Sequence, residues 1–142
     1  MSLIRFDYIA DLVIDPSTKK ETGRIYRPKI PIRLCYGHNM AKFLVDCLID
    51  SGSDNNLFPA EWGEVLGIKI QKGKQTSIYG IGNIKIISYC HKVKLYMGTV
   101  SIFTEANFIY EQNIPLLGRN GFFNCFKRII FNDKDRFVEL EL

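Results

Sequence analysis

An aspartate, Asp50, stands at the end of an apolar run and is followed by the small residues Ser51, Gly52 and Ser53. The run ahead of it, residues 43–49, has the composition of a buried strand. Strand interiors disfavour Asp, and removing a carboxylate from water costs free energy unless other groups stabilise the charge. Two interpretations follow. Either hydrogen bonds of an Asx-turn hold the carboxylate at the strand end, or a second carboxylate shares a proton with it.

Two further segments follow this turn along the chain. Residues 79–83 read Tyr-Gly-Ile-Gly-Asn, and residues 116–120 read Leu-Leu-Gly-Arg-Asn. Together with residues 48–53, they resemble the signature elements of the retropepsin-like (retroviral-type) aspartic proteases. These elements are a hydrophobic-hydrophobic-Asp-Ser/Thr-Gly turn, a glycine-containing flap and a hydrophobic-hydrophobic-Gly-Arg-Asp/Asn turn. The resemblance covers residues 31–126 and is that of a single-domain prokaryotic-type member of the family.

The resemblance implies an all-β fold, an acid-protease-type β-barrel with a flap hairpin and one or two short helices. Alternating apolar residues and turn residues predict strands over residues 4–14, 29–36, 41–50, 74–79, 83–97, 100–110, 128–131 and 136–140. A short helix that begins with Pro, or a single turn, is predicted over residues 59–66, and a helix is predicted over residues 119–126. We expect one domain, with an N-terminal strand and extension over residues 1–30, the matching core over 31–126 and a C-terminal hairpin over 127–142.

The resemblance implies peptide-bond hydrolysis by a water molecule activated between two aspartates, of which Asp50 is one. Two carboxyl groups about 3 Å apart cannot both ionise, and they therefore share one proton. The chain has one such motif, because the nearest lookalike, Glu-Thr-Gly at residues 21–23, lies in a polar stretch that predicts a hairpin turn. We therefore expect an aspartic endopeptidase that acts on polypeptides as a two-fold homodimer. The alternative is a catalytically silent peptide-binding or scaffolding module of the same fold.

The resemblance also assigns supporting roles around the catalytic aspartate. The Ser51 hydroxyl would hydrogen-bond across the dimer, although a bond within its own turn is equally compatible with the sequence. Gly52 would let the substrate backbone approach closely. Asp54 would form an ion pair with Arg119. Ser53 completes the turn and belongs to the same supporting set.

Two further groups of residues complete the implied site. The flap would bind substrate through its backbone N–H groups, although a Gly-x-Gly between strands is otherwise an ordinary hairpin turn. Its residues are Tyr79, Gly80, Ile81 and Gly82. The C-terminal motif consists of Leu116, Leu117 and Gly118.

Composition restricts the setting and the partners. The chain has 142 residues, 46% of them hydrophobic, which suits one domain with a sizeable core. It has no apolar run of about 18 residues and no signal-peptide core, so a cytoplasmic protein without a membrane partner is expected. The four scattered cysteines, Cys35, Cys47, Cys90 and Cys125, are expected to be buried, reduced thiols. The net charge of +4 is dispersed and the histidines lack neighbouring ligands, so no nucleic-acid partner, metal or other cofactor is expected.

Overall fold

The computed structural model describes residues 2–142. Its strands are β1 (Leu3–Asp7), β2 (Ile9–Ile14), β3 (Glu21–Arg27), β4 (Lys29–Tyr36), β5 (Asn39–Met40), β6 (Val45–Ile49), β7 (Leu57–Pro59), β8 (Lys74–Tyr79), β9 (Lys85–Met97), β10 (Val100–Ile109), β11 (Leu116–Leu117), β12 (Arg128–Asn132) and β13 (Phe137–Glu141). Within the described residues, one α-helix, α1 (Ala60–Glu64), follows β7. Two short 3-10 turns cover Ile70–Lys72 and Phe123–Cys125.

A closed barrel forms the body of the molecule. Strands follow one another in the order β5-β4-β6-β11-β7-β10-β9-β8, and an additional pairing between β4 and β9 closes the ring. The first half of β4 pairs with β6 and its second half with β9, so β4 serves both sides. Its residues Ile30, Ile32 and Leu34 point to the same face and are fully buried in the core. The all-β barrel predicted from the sequence is confirmed.

The two ends of the chain lie outside this barrel. β13 is the central strand of a three-stranded sheet, with β1 on one side and β12 on the other, whereas β2 and β3 form a separate hairpin. The sequence predicted one strand over residues 4–14, but the chain changes sheets at Tyr8. The backbone N–H of Tyr8 donates to the Arg136 carbonyl at 2.8 Å, and its hydroxyl donates to Asp133 at 2.7 Å. Burial and the bond to Asp133 raise the pKa of Tyr8 to about 12.

The two predicted helices have different outcomes. Residues 59–66 contain α1, which begins after Pro59 as predicted. The helix predicted over residues 119–126 is wrong, because only a single 3-10 turn forms there. Gly121 has a φ of +105°, far from helical values, and its N–H donates to the Asn124 side chain at 3.0 Å. No helix of the described residues is long and apolar enough to cross a membrane.

Two other boundaries differ from the sequence prediction. A strand was predicted over residues 41–50, but β6 begins only at Val45 because the preceding residues bend and leave Phe43 and Leu44 exposed. Residues 21–23, predicted as a turn, are instead the first residues of β3. The turn of that hairpin forms earlier, where the Asp15 carboxylate accepts the N–H of Ser17 at 2.8 Å. This Asx-turn closes the hairpin before Glu-Thr-Gly is reached.

The four cysteines are free thiols in three different environments. Cys35 and Cys47 are buried, and burial raises the pKa of the Cys47 thiol well above its usual range. Cys90 is half-buried, and its burial and its bond to Glu105 raise its pKa to about 11. Cys125 is exposed. The prediction of buried cysteines therefore holds for Cys35 and Cys47 but is wrong for Cys125.

A buried amide joins three parts of the barrel. Asn56 precedes β7 and is fully buried. Its side-chain N–H donates to the Glu105 carbonyl at 3.0 Å, and its side-chain oxygen accepts the N–H of Gly118 at 3.0 Å. Its backbone carbonyl accepts the N–H of Asn107 at 2.8 Å. Buried polar groups are costly when unpaired, so this single residue fixes β10 and the segment after β11 relative to β7.

We expect Asn56→Ala to lower the free energy of unfolding by about 2–4 kcal/mol, because two buried backbone groups lose their partners. Urea denaturation followed by tryptophan fluorescence measures this change. The control, Asn113→Ala, removes an exposed side chain and should change the free energy by less than about 0.5 kcal/mol. Similar losses in both variants would contradict the role assigned to Asn56.

Candidate active site

Asp50 follows the last residue of β6 and begins a tight turn. Its backbone N–H donates to the Leu117 carbonyl at 2.9 Å, and its carbonyl accepts the N–H of Ser53 at 3.1 Å. The N–H of Gly52 donates to Oδ1 of the Asp50 carboxylate at 2.9 Å. The Asx-turn interpretation is therefore correct, but the turn occupies only one carboxylate oxygen. Within residues 2–142, Oδ2 accepts no hydrogen bond, and the half-buried Asp50 lines a cleft.

The three small residues after the aspartate have distinct environments. A Cβ at Gly52 would lie 3.2 Å from Oδ1 of Asp50, so glycine leaves room around this oxygen. Ser53 is buried, and its hydroxyl donates to the Asn55 carbonyl at 2.7 Å. Ser51 is exposed, and its hydroxyl makes no hydrogen bond within the described part of the chain. The Ser51 hydroxyl therefore does not form the hydrogen bond within its own turn that the sequence allowed. It is available to a ligand or a second chain.

The second sequence motif runs alongside the first. β11 pairs in parallel with β6, which places Leu117 opposite Ile49. Beyond β11, Asn120 forms a parallel bridge with Asn55. A Cβ at Gly118 would lie 2.2 Å from the Asn55 carbonyl oxygen. Only glycine fits at this approach, which gives a physical reason for glycine in the Leu-Leu-Gly motif.

The predicted ion pair between Asp54 and Arg119 does not form. Both side chains are exposed, and the ion pairs of residues 2–142 involve neither of them. The two segments are joined through their backbones instead. The N–H of Arg119 donates to the Ser53 carbonyl at 2.9 Å, and the N–H of Asn120 donates to the Asp54 carbonyl at 2.8 Å. Exposed ion pairs contribute little to stability, so both charged groups remain in solvent while the backbone holds the junction.

β8 and β9 form an antiparallel hairpin whose turn contains the predicted flap residues. The N–H of Gly80 donates to the Ile84 carbonyl at 3.0 Å. Gly82 and Asn83 have φ values of +80° and +60°, a left-handed conformation that Gly and Asn adopt at the lowest cost. Ile81 at the tip is 99% exposed. The tip of the hairpin therefore stands away from the body of its own chain.

A cleft of about 870 Å³ lies between the Asp50 turn and this hairpin. Eight of the predicted site residues line it: Asp50, Gly52, Ser53, Asp54, Tyr79, Gly80, Ile81 and Leu116. The five others lie outside its walls: Ser51, Gly82, Leu117, Gly118 and Arg119. Among these, Leu117 and Gly118 are buried supports of the junction. The fold thus brings the aspartate turn and the hairpin tip, which are distant in sequence, to one cleft.

The cleft has further walls that the sequence analysis missed. Leu57, Ile78, Ile86 and Ile109 contribute apolar surface, and Gln112 contributes a polar side chain. Ile78 and Ile86 lie opposite each other on β8 and β9. Pairing residues outward from the glycine turn in the sequence could have identified these two side chains as neighbours. Leu57 pairs with β11. No local sequence signal marks Ile109 or Gln112, because the end of β10 and the turn after it bring them to the cleft from a distant part of the chain.

Solved structures with a similar fold are aspartic proteases. The chain is similar to a retropepsin-like aspartic protease from Rickettsia conorii, with a TM-score of 0.60, 17% sequence identity, and coverage of 98% of this chain and 92% of that one. It is also similar to EIAV protease complexed with the inhibitor HBY-793, with a TM-score of 0.50, 19% identity, and coverage of 66% of this chain and 82% of that one. No protein-family model and no curated protein matches the sequence. The chain therefore has the fold of the retropepsin-like aspartic proteases, and the resemblance in its sequence is confirmed at the level of the fold.

Proposed function

We propose that this chain is an aspartic endopeptidase that hydrolyses peptide bonds as a homodimer, with Asp50 of each copy forming one catalytic pair. The observation that carries the proposal is the cleft shared by the Asp50 carboxylate and the glycine-containing tip of the β8–β9 hairpin. The two solved structures to which the chain is similar are both named as proteases. This likeness supports the same class of reaction.

The chemistry follows from two carboxyl groups in contact across a two-fold axis, which share one proton. The ionised group takes a proton from water as the water oxygen bonds to the peptide carbonyl carbon. The protonated group gives its proton to the carbonyl oxygen, and a tetrahedral diol forms. As the C–N bond breaks, one carboxyl protonates the leaving nitrogen while a diol hydroxyl returns a proton to the other carboxylate. The pair again holds one proton at the end of the cycle.

The turn suits this role because it positions the carboxylate without occupying it. The N–H of Gly52 holds Oδ1 of Asp50 at 2.9 Å, and Oδ2 stays open to the water and to the second carboxyl group. The exposed Ser51 hydroxyl has no partner in the described chain. In the proposed dimer, the Ser51 hydroxyl of each copy donates a hydrogen bond across the two-fold axis. These bonds help to hold the two Asp50 turns in place.

The cleft suits a polypeptide bound in an extended conformation. β8 is the last strand of the barrel sheet and pairs with β9 on one side only, so its other edge can accept a substrate strand through backbone hydrogen bonds. The branched aliphatic side chains of Ile78, Ile86 and Ile109 suit apolar substrate residues beside the cleaved bond. The hairpin tip around Ile81 acts as the flap in this proposal and covers the bound peptide.

We further propose that the enzyme works in the reducing environment of the cytoplasm. Its four cysteines are free, and disulfides are rare in that compartment. The partners in this proposal are a polypeptide substrate and a second copy of the chain, without nucleic acid, a membrane or a cofactor.

Asp50→Asn should abolish cleavage of a mixed peptide library between about pH 4 and 7, where a pair sharing one proton is active. The amide oxygen still accepts the N–H of Gly52, so the turn is kept, but the side chain cannot take a proton from water. The cleavage rate should therefore fall by at least about 10³-fold. Mass spectrometry of the products measures both the rate and the side-chain preference.

The matched control is Asp46→Asn, which removes an exposed carboxylate from the same strand outside the cleft. This variant should cleave like the wild type. Equal cleavage by the wild type and Asp50→Asn would contradict the assignment of Asp50. Peptide binding without cleavage by any variant would point to the catalytically silent peptide-binding module.

A catalytic pair built from two chains also predicts a dominant effect in mixtures. When wild-type and Asp50→Asn chains exchange freely, only dimers with two intact aspartates cleave. A threefold excess of the variant should leave about one quarter of the wild-type activity, because about one wild-type chain in four then has a wild-type partner. Sedimentation at the assay concentration verifies that the chains are dimeric. Undiminished activity in the mixture would show that one chain is sufficient.

A further inference from the structure

The hairpin of β2 and β3, called the arm below, stands apart from the rest of the protein. Its two strands pair with each other and with no other described strand. Its large apolar side chains are exposed: Leu12, Val13, Ile14, Ile25 and Tyr26. A lone two-stranded hairpin is marginally stable in water. Leu12, Ile14 and Tyr26 lie on one face of the hairpin, and Val13 and Ile25 lie on the other. Exposed apolar side chains that share a face mark an interaction surface.

The base of the arm is held in a fixed direction. The Asp11 carboxylate forms ion pairs with Arg27 and with Lys29, both at 2.9 Å. The Arg136 guanidinium lies 3.8 Å from the centre of the Tyr26 ring, a favourable cation–π contact. These contacts join the arm to β4 and to the turn between β12 and β13. A surface that is ordered before binding loses less entropy when a partner docks.

The arm begins beside the Asp50 turn. Pro28 follows β3, and its carbonyl accepts the N–H of Ile49 at 2.9 Å, one residue before Asp50. A two-fold axis at the catalytic pair therefore places the base of each arm at the boundary between the two copies. The six residues of β2 extend about 20 Å, which is long enough to cross that boundary. The partner that this location fits is a second copy of the same chain.

The three-stranded sheet of β1, β13 and β12, called the terminal sheet below, offers a second copy less apolar surface than the arm does. Its central strand, β13, is already paired on both sides within one chain, so no free terminal strand remains to be exchanged. On its outer face, β1 exposes Leu3 beside the charged Arg5 and Asp7, and Arg5 lies opposite Glu139. Charged residues of this kind are depleted at the centre of protein interfaces. The apolar surface of the N-terminal region is instead concentrated on the arm.

We propose, on the basis of the proposed function, that the arm is the dimerisation element and packs on a second copy of this chain. Leu12 and Ile14, which share one face of the arm, become buried in that contact. Two arms related by a two-fold axis make the same contact twice and close the dimer without further growth. The arm thereby controls the assembly of the catalytic pair, although it lies outside the cleft.

The test compares two full-length double variants that add the same charge. Leu12→Glu/Ile14→Glu alters one face of the arm, and Val65→Glu/Phe103→Glu alters two exposed apolar side chains elsewhere. Sedimentation velocity over a dilution series gives the dimer dissociation constant, and peptide cleavage is measured at the same concentrations. We expect the arm variant to raise the dissociation constant at least tenfold and to recover activity at high concentration. The control variant should retain both properties of the wild type.

Thermal unfolding of each variant checks that the barrel remains folded. Leu12→Thr/Ile14→Thr is a second arm variant, because threonine keeps the strand preference while removing apolar surface. An arm variant that dimerises like the wild type would overturn the arm assignment, and the proposed function would stand if Asp50→Asn is inactive. A weakened dimer in a chain that never cleaves peptides would support the arm and overturn the proposed function. A wild type that cleaves as a monomer would overturn both.

Discussion

The close approach of two backbone segments at Gly118 and Asn55 determines where the candidate site can form. A single added carbon at Gly118 would overlap the Asn55 carbonyl, so the two segments meet only because one residue has no side chain. The approach buries the N–H of Gly118, and the Asn56 amide oxygen accepts it. Leaving such a group unpaired would cost more than the bond itself contributes. The same junction positions Asp50, because the backbone N–H of Asp50 donates to the Leu117 carbonyl.

The parts of the site that the sequence predicted are those with local causes. Asp50 follows an apolar strand and precedes three small residues. This local pattern favours an Asx-turn whatever the position of the strand in the fold. Gly82 and Asn83 tolerate left-handed backbone conformations, so they predict the turn between β8 and β9 without knowledge of the fold. Gly118 was assigned through the family resemblance, and the structure supplies its physical reason, the close approach to Asn55. In each case the residue type limits the backbone of its own segment.

The parts that the sequence did not predict depend on distant partners. Asn56 looks like an ordinary turn residue, and its importance appears only when Glu105 and Gly118 are brought to it. The helix expected over residues 119–126 fails for a related reason, since Thr104 of β10 donates to the Gly121 carbonyl and helps to hold the non-helical turn. The expected pair of Asp54 with Arg119 came from the family resemblance, and no local signal could have shown that both side chains are exposed. Tertiary contacts overrode local preference at Asn56 and in the segment 119–126.

A chain with one aspartate turn links its chemistry to its assembly. Within one chain, Asp50 has a single hydrogen bond to its carboxylate and an open Oδ2, and in the proposed mechanism the second carboxyl group comes from another copy. In the proposed dimer the arm supplies the attraction, while the cleft supplies the contacts to substrate. The two regions share no side chain, since Leu12 and Ile14 do not line the cleft. Substitutions at distant, independent sites have nearly additive effects, so dimer strength and cleavage preference can vary separately in this fold. Dilution would then dissociate the proposed dimer and stop cleavage without any change in the groups that contact the substrate.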